Sequence, residues 1–300
     1  MRVRAPAAIL AAAALAAAVA GCAGTRAAPA GGSASGGPGR GAAASPGSAG
    51  PPAASGGAAA AGPLAAAARL CGEPDAPGRL ITVRAADGVP LATIEAGAGD
   101  RAVVLIPELG QRGKCGWWAF AAQLAAHGYH VLAFDHRCTG GSACPAGAAA
   151  EADLMSDIRG AAAWLRQHGA TRVALVGASQ GGSEALIAAT MPAPGITGVA
   201  ALSADELTTP LASPPYPPTA VAAVPRLRLR LLLAVAAGDP YVSVPDTRSL
   251  LARAGSPGKR LVVLPAGAGH GWDLVTPLFP DAAPSALSGT VLAFLSSVTA

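Results

Sequence analysis

From about residue 64 onward, short unbroken apolar runs alternate with segments patterned at helical spacing. Residues 80–84 and 91–96 flank Asp87-Gly88 and read as an antiparallel hairpin. Residues 102–107 follow as a continuously apolar strand. Residues 117–127 read as an amphipathic helix that stops at Gly128, a residue suited to the left-handed end of a helix. The alternation continues with a strand at 130–135, a helix at 153–168 closed by Gly169, a strand at 172–177 and a helix at about 180–190. Strands at 198–203, 229–237 and 260–264 then interleave with helices at 244–254 and 285–297. Strands that are apolar on both faces and separated by helices predict an α/β fold, with a mostly parallel sheet covered by helices on both sides. In such sheets ligands bind beyond the carboxyl ends of the strands, so catalytic groups are expected just after strands.

Three polar residues stand at such positions. Ser179 lies in "VALVGASQGGSEAL", between the strand at 172–177 and the following helix. The pattern Gly-x-Ser-x-Gly is weak evidence by itself: with 39 glycines in 300 residues, chance supplies roughly 0.3 copies. Its placement is more informative. Gly177 and Gly181 lack the Cβ atoms that would clash in a tight strand-to-helix turn, although a serine here also suits a plain helix cap.

A serine hydroxyl needs a base, and the base needs an orienting acid. Of the five histidines, His127 and His168 sit at helix ends, His130 opens a strand at the wrong end of the sheet, and His136 follows a strand. His270 stands in the small-residue loop "PAGAGHG" after the last strand, where nothing structural calls for an imidazole. Asp239, in "AGDPY", follows the strand at 229–237 and is preferred to Asp246, a helix-start residue, and to Asp273, which lies too close to the histidine.

The order Ser179, Asp239, His270, with "GASQG", "GDPYV", "GAGHG" and "LAFDHRCTGGS", resembles the α/β-hydrolase superfamily over nearly the whole domain, in its esterase, lipase and dienelactone-hydrolase branch. The resemblance implies a Ser-His-Asp triad and an acyl-enzyme formed from a small-molecule or polymer-terminal ester, with no cofactor and no metal. It also implies an oxyanion hole made by the backbone amides of Gln180 and of Leu109, in the loop after the strand at 102–107. There the family usually carries His-Gly-x-Gly, whereas this chain reads Pro107-Glu108-Leu109-Gly110. A carboxylate aimed at developing negative charge would oppose catalysis. Glu108 is therefore expected to be a solvated loop residue turned away, or paired with Arg112 or Lys114, with contact to substrate as the functional alternative.

Only residues 204–227 separate two late strands, and this stretch is rich in proline. It predicts a small flap instead of a helical lid, and hence an open site. Trp117, Tyr216 and Trp272 are candidate substrate contacts along it, although each of them reads more readily as core or rim packing. A hydrolase-fold binding module without catalysis and an acyltransferase using the same triad are the competing readings.

Composition changes the picture mainly at the N-terminus. Residues 1–21 combine Arg2 and Arg4 with an apolar stretch too short to span a bilayer, and "VAGC" resembles a lipoprotein processing site with Cys22 as the acylated residue. Residues 22–63 are almost entirely Gly, Ala, Ser and Pro and read as a disordered tether. The globular domain is then 64–300, secreted and lipid-anchored on the extracytoplasmic face, and monomeric. The formal net charge of +4 gives no reason to expect a nucleic-acid partner. Cys71, Cys115, Cys138 and Cys144 are expected to form two disulfides, with the pairing open.

Overall fold

The strands at the centre of the sheet are buried on both faces because their sequences offer no polar face to solvent. Every residue of VALVGA, 173–178, is buried in β5 (Arg172–Ala178). The structure is a computed structural model and describes residues 71, 78–110, 112–191, 193–276 and 285–300. The expected signal segment, Cys22 and the tether lie outside the described residues.

Eight strands form one sheet: β1 (Arg79–Arg84), β2 (Pro90–Ala96), β3 (Arg101–Ile106), β4 (His130–Phe134), β5, β6 (Ile196–Leu202), β7 (Arg230–Ala236) and β8 (Lys259–Leu264). Their order across the sheet is β1-β2-β4-β3-β5-β6-β7-β8. β2 pairs antiparallel with β1 and β4, and every other pairing is parallel. The hairpin turns around Gly88 in the left-handed region, as its Asp-Gly sequence predicts.

Alternate strand residues feed two apolar clusters. Val104, Ile106, Leu132 and Leu175 face one side and pack with residues of α3 (Leu154–Gln167), α4 (Gln180–Ala188) and α6 (Val244–Arg253). Val103, Leu105, Val131 and Val176 face the other and pack with α1 (Trp118–Ala126) and α7 (Ala286–Thr299). Asp153, Ser243 and Ser285 cap α3, α6 and α7 by accepting the N–H three residues on. His127 and His168 terminate α1 and α3, each ring Nδ1 meeting the carbonyl four residues back at 2.8 Å.

Two short helices, α2 (Ala148–Glu151) and α5 (Ala220–Ala223), were not legible in the apolar pattern. A 3₁₀ turn at Gly113–Trp117 precedes α1, so Trp117 leads into the helix from outside it. The disulfides join Cys71 to Cys115 and Cys138 to Cys144. Both lie beside Asp135 at the end of β4. This carboxylate accepts the N–H groups of Lys114 and Gly141 at 2.9 Å and pairs with the Lys114 ammonium. A Cβ on Gly113 or Gly140 would lie 2.2 Å from it. Asp135 thus organises two loops at the carboxyl edge of the sheet.

Candidate active site

Ser179 sits in the turn between β5 and α4. It carries φ 52° and ψ −124°, outside the regions that an L-residue adopts without strain, and leads directly into α4. The turn closes so sharply that a Cβ on Gly177 would stand 2.0 Å from the Gly181 carbonyl oxygen, and one on Gly181 would stand 2.3 Å from that of Pro107. The two glycines of the motif are therefore required by contact, and the sequence expectation for them holds. The Gln180 amide opens α4, where the first N–H groups of a helix lack intrahelical acceptors.

The structure brings the other two predicted residues together. Asp239 lies three residues beyond β7, and His270 six residues beyond β8. His270 Nδ1 is 2.9 and 3.0 Å from the two Asp239 carboxylate oxygens. Asp239 Oδ1 also accepts the N–H groups of Tyr241 and Val242 at 3.0 and 3.2 Å. Burial alone would push the Asp239 carboxyl up. The nearby Ser203 hydroxyl, the two N–H groups and His270 outweigh burial and hold it below the usual carboxylate range. A carboxylate on Nδ1 fixes the tautomer that leaves the Nε2 lone pair free to take a proton. The Asp239 side chain is fully buried, whereas that of His270 keeps a 12% exposed edge.

Two neighbours escaped the sequence reading. Asp205, past the end of β6, has Oδ2 3.5 Å from Ser179 Oγ, and no hydrogen bond joins Ser179 to His270. The Ser183 hydroxyl and the Ser179 carbonyl hold the Asp205 main chain in place. Tyr241, 71% exposed, sets its ring edge-on to His270 with centroids 4.7 Å apart. Asp205, Glu206, Tyr241, Asp246 and Arg253 line a cavity of about 510 Å³ beside this pair. The aromatic residue straight after "GDP" and the acidic "SADE" after β6 were the available signals.

His136 is placed elsewhere. It is buried, with Nε2 3.1 Å from Glu184 Oε2 and Nδ1 3.9 Å from Asp157 Oδ2. Burial pulls its pKa down, but the two carboxylates overcome that and raise it to about 10. An imidazolium so held is an ion-pair partner, not a base. Glu184 in turn accepts the Gln180 side-chain amide at 2.6 Å, linking this pair to the start of α4.

Several expectations need correction. Glu108 is not a solvated loop residue: its Oε2 is buried and, among the described residues, has no hydrogen-bond partner. Lys114 is buried against Asp135 and does not pair with Glu108. Burial, with Asp273 and Asp239 adding negative charge, pushes the Glu108 carboxyl up to about 7, against smaller opposing effects of the Trp272 N–H and Arg112. Its neighbour Leu109 is 62% exposed, with its N–H in none of the turn or loop hydrogen bonds. Trp117 and Trp272 are not open to substrate: they are 0% and 5% exposed and pack edge to face, with centroids 6.2 Å apart. Tyr216 packs on the α3–α4 side of the sheet and lines a separate cavity with Asp153 and Arg159. For the two tryptophans and Tyr216, the apolar surface packs into clusters drawn from distant parts of the sequence.

A family model described as the alpha/beta hydrolase fold matches residues 101–237. An esterase from Pyrococcus furiosus superposes with a TM-score of 0.62 at 18% identity, covering 78% of this chain and 94% of its own. An esterase from Exiguobacterium antarcticum gives 0.55 at 15%, covering 72% and 99%. A putative dienelactone hydrolase from Klebsiella pneumoniae gives 0.54 at 17%, covering 72% and 98%. No curated protein matches the chain. With the eight-stranded sheet and its crossover order, these likenesses show that the chain has the α/β-hydrolase fold.

Proposed function

We propose that the protein is a serine hydrolase of small or accessible carboxylic esters. The observation that carries this reading is the buried Asp239–His270 pair, reaching the same edge of the sheet as a strained serine between two contact-enforced glycines. In this reading the Ser179 oxygen attacks the ester carbonyl and His270 Nε2 takes the hydroxyl proton. The N–H groups of Leu109 and Gln180 hold the oxyanion. Collapse of the tetrahedral adduct breaks the ester C–O bond, and His270 returns the proton to the departing alcohol. Water then repeats the sequence on the acyl-enzyme and releases the acid.

The missing Ser179–His270 hydrogen bond is compatible with this chemistry, because such bonds often tighten only when substrate is present. It is also the observation that favours a second reading, a hydrolase fold kept for binding. Turnover separates the two. Hydrolysis of p-nitrophenyl butyrate is expected, and Asp239→Asn is expected to lower kcat by about 10⁴-fold, the size of effect seen when a triad acid is neutralised. Wild-type protein inert toward short esters supports the binding module. For location, Arg2, Arg4, the apolar stretch and Cys22 support a lipid-anchored protein outside the cytoplasm, as do the two disulfides. Retention of full-length protein, but not of Cys22→Ala, in the membrane fraction tests this.

A further inference from the structure

Glu108 lies where the loop carrying Leu109 meets the loop carrying His270. A Cβ on Gly271, the residue after the proposed base, would stand 2.0 Å from Glu108 Oε2 and 3.4 Å from the Cβ of Ala178, the residue before the proposed nucleophile. Gly271 has φ 57° and no side chain, and the carboxyl occupies the space this leaves. One carboxyl group therefore touches the His270 loop close to Ser179, while its own chain supplies the expected oxyanion amide one residue on.

The surroundings decide which form of the carboxyl belongs there. Oε2 is buried and without a hydrogen-bond partner among the described residues. The charged groups facing it from the His270 side are Asp273 and Asp239, both repelling a carboxylate. On its own loop Arg112 attracts one from a distance, and the Trp272 N–H is the nearby donor. Lys114, the other local cation, is committed to Asp135. His270 is held by Asp239. A neutral carboxyl fits this seat. A charged one sits unpaired in a half-buried place among like charges and beside the forming oxyanion.

We propose that Glu108 is a proton-controlled positioning residue of the ester-cleaving site. In its neutral form it seats on Gly271 and ties the oxyanion loop to the His270 loop; on ionisation it loosens that contact and repels the oxyanion. This rests on the proposed hydrolase reading and adds to it an acid-side working range. Activity then falls on the alkaline side as Glu108 ionises.

The test is the pH profile of kcat/KM for p-nitrophenyl butyrate from pH 5.5 to 9, in wild type, E108Q and E108D, with melting temperatures measured across the same range and down to pH 4. Wild type is expected to fall about tenfold on the alkaline side, whereas E108Q, neutral and of the same length, holds its plateau. E108D, too short to reach Gly271, is expected to be slower at every pH. The melting temperature gives an independent reading. A carboxyl raised from about 4.5 to about 7 on folding stabilises fully below 4.5, and that stabilisation is lost as pH rises through 7. The melting temperature of wild type relative to E108Q should therefore fall across that interval. An alkaline limb shared by wild type and E108Q overturns the role of Glu108 and leaves the hydrolase reading intact. A pH-independent melting difference also overturns it, with or without turnover. Absence of turnover in all three proteins at every pH contradicts the hydrolase reading instead.

Discussion

Asp205 Oδ2 lies 3.5 Å from Ser179 Oγ, so the proposed nucleophile is turned toward a carboxylate outside the Asp239–His270 pair. A bond of that length is weak, worth below about 1 kcal/mol, yet it competes with His270 for the serine proton and places negative charge near the forming oxyanion. Asp205→Asn keeps the shape and removes the charge. The rate of acylation, read from the burst of p-nitrophenol, is expected to rise about two- to fivefold in this variant. A large fall would mean that Asp205 assists the reaction.

Gly181 sits where the elbow meets the loop after β3. Its missing Cβ is what lets the Pro107 and Ile106 carbonyl oxygens approach, at 2.3 and 2.6 Å from where that atom would be. Both contacts are backbone, so neither yields cheaply. Gly181→Ala is expected to cost about 1–3 kcal/mol of stability and to depress activity more than stability alone would. Urea unfolding alongside ester turnover checks both, and Gly289→Ala, an exposed helix position where a Cβ meets nothing within 4 Å, is the control, expected to keep full activity and to gain up to about 1 kcal/mol from helix propensity.

The buried Glu184–His136 pair sits beneath the start of α4 and is expected to be a stability element with a defined pH signature. Glu184→Gln leaves the His136 imidazolium with Asp157 alone, at 3.9 Å, and is expected to cost about 3 kcal/mol. His136, raised from 6.5 to about 10, contributes stability that is fully present below pH 6.5 and is lost as pH rises through 10. Wild-type urea midpoints should therefore fall between those limits, and more steeply than in Glu184→Gln. Equal slopes would show that His136 is neutral in the folded protein.

The sequence made the elbow legible because its requirements are local. A strand end, a serine and two glycines within five residues specify the turn, and later packing only confirms the contacts that forbid a Cβ. Asp239 and His270 were legible because each follows a late strand in the chain order that a Ser-Asp-His triad requires, His270 in a small-residue loop where nothing structural calls for an imidazole. The alternation of apolar runs likewise marked all eight strands, most cleanly β3 to β7, whose buried interiors have no polar residues to blur the signal. What stayed hidden was set by distant parts of the chain. Glu108 looked solvated among Pro, Leu and Gly, and its burial depends on Gly271, far along the chain, lacking a side chain. Trp117 looked like a rim residue until Trp272 and Phe120 packed around it. Asp205 carried no motif, and only the return of β6 beside β5 brings it to Ser179. The cysteine pairing depended on where the segment before β1 meets the loop after β3.

The central claim is that Ser179 is an activated nucleophile. Labelling with a fluorophosphonate, followed by mass-spectrometric mapping of the modified residue, reads this directly and needs no knowledge of the natural ester. The expected result is one equivalent of adduct on Ser179 in the wild-type domain, with none in Ser179→Ala and strongly slowed labelling in His270→Ala. Folded wild-type protein that stays unlabelled, or an adduct on any other residue, would contradict it.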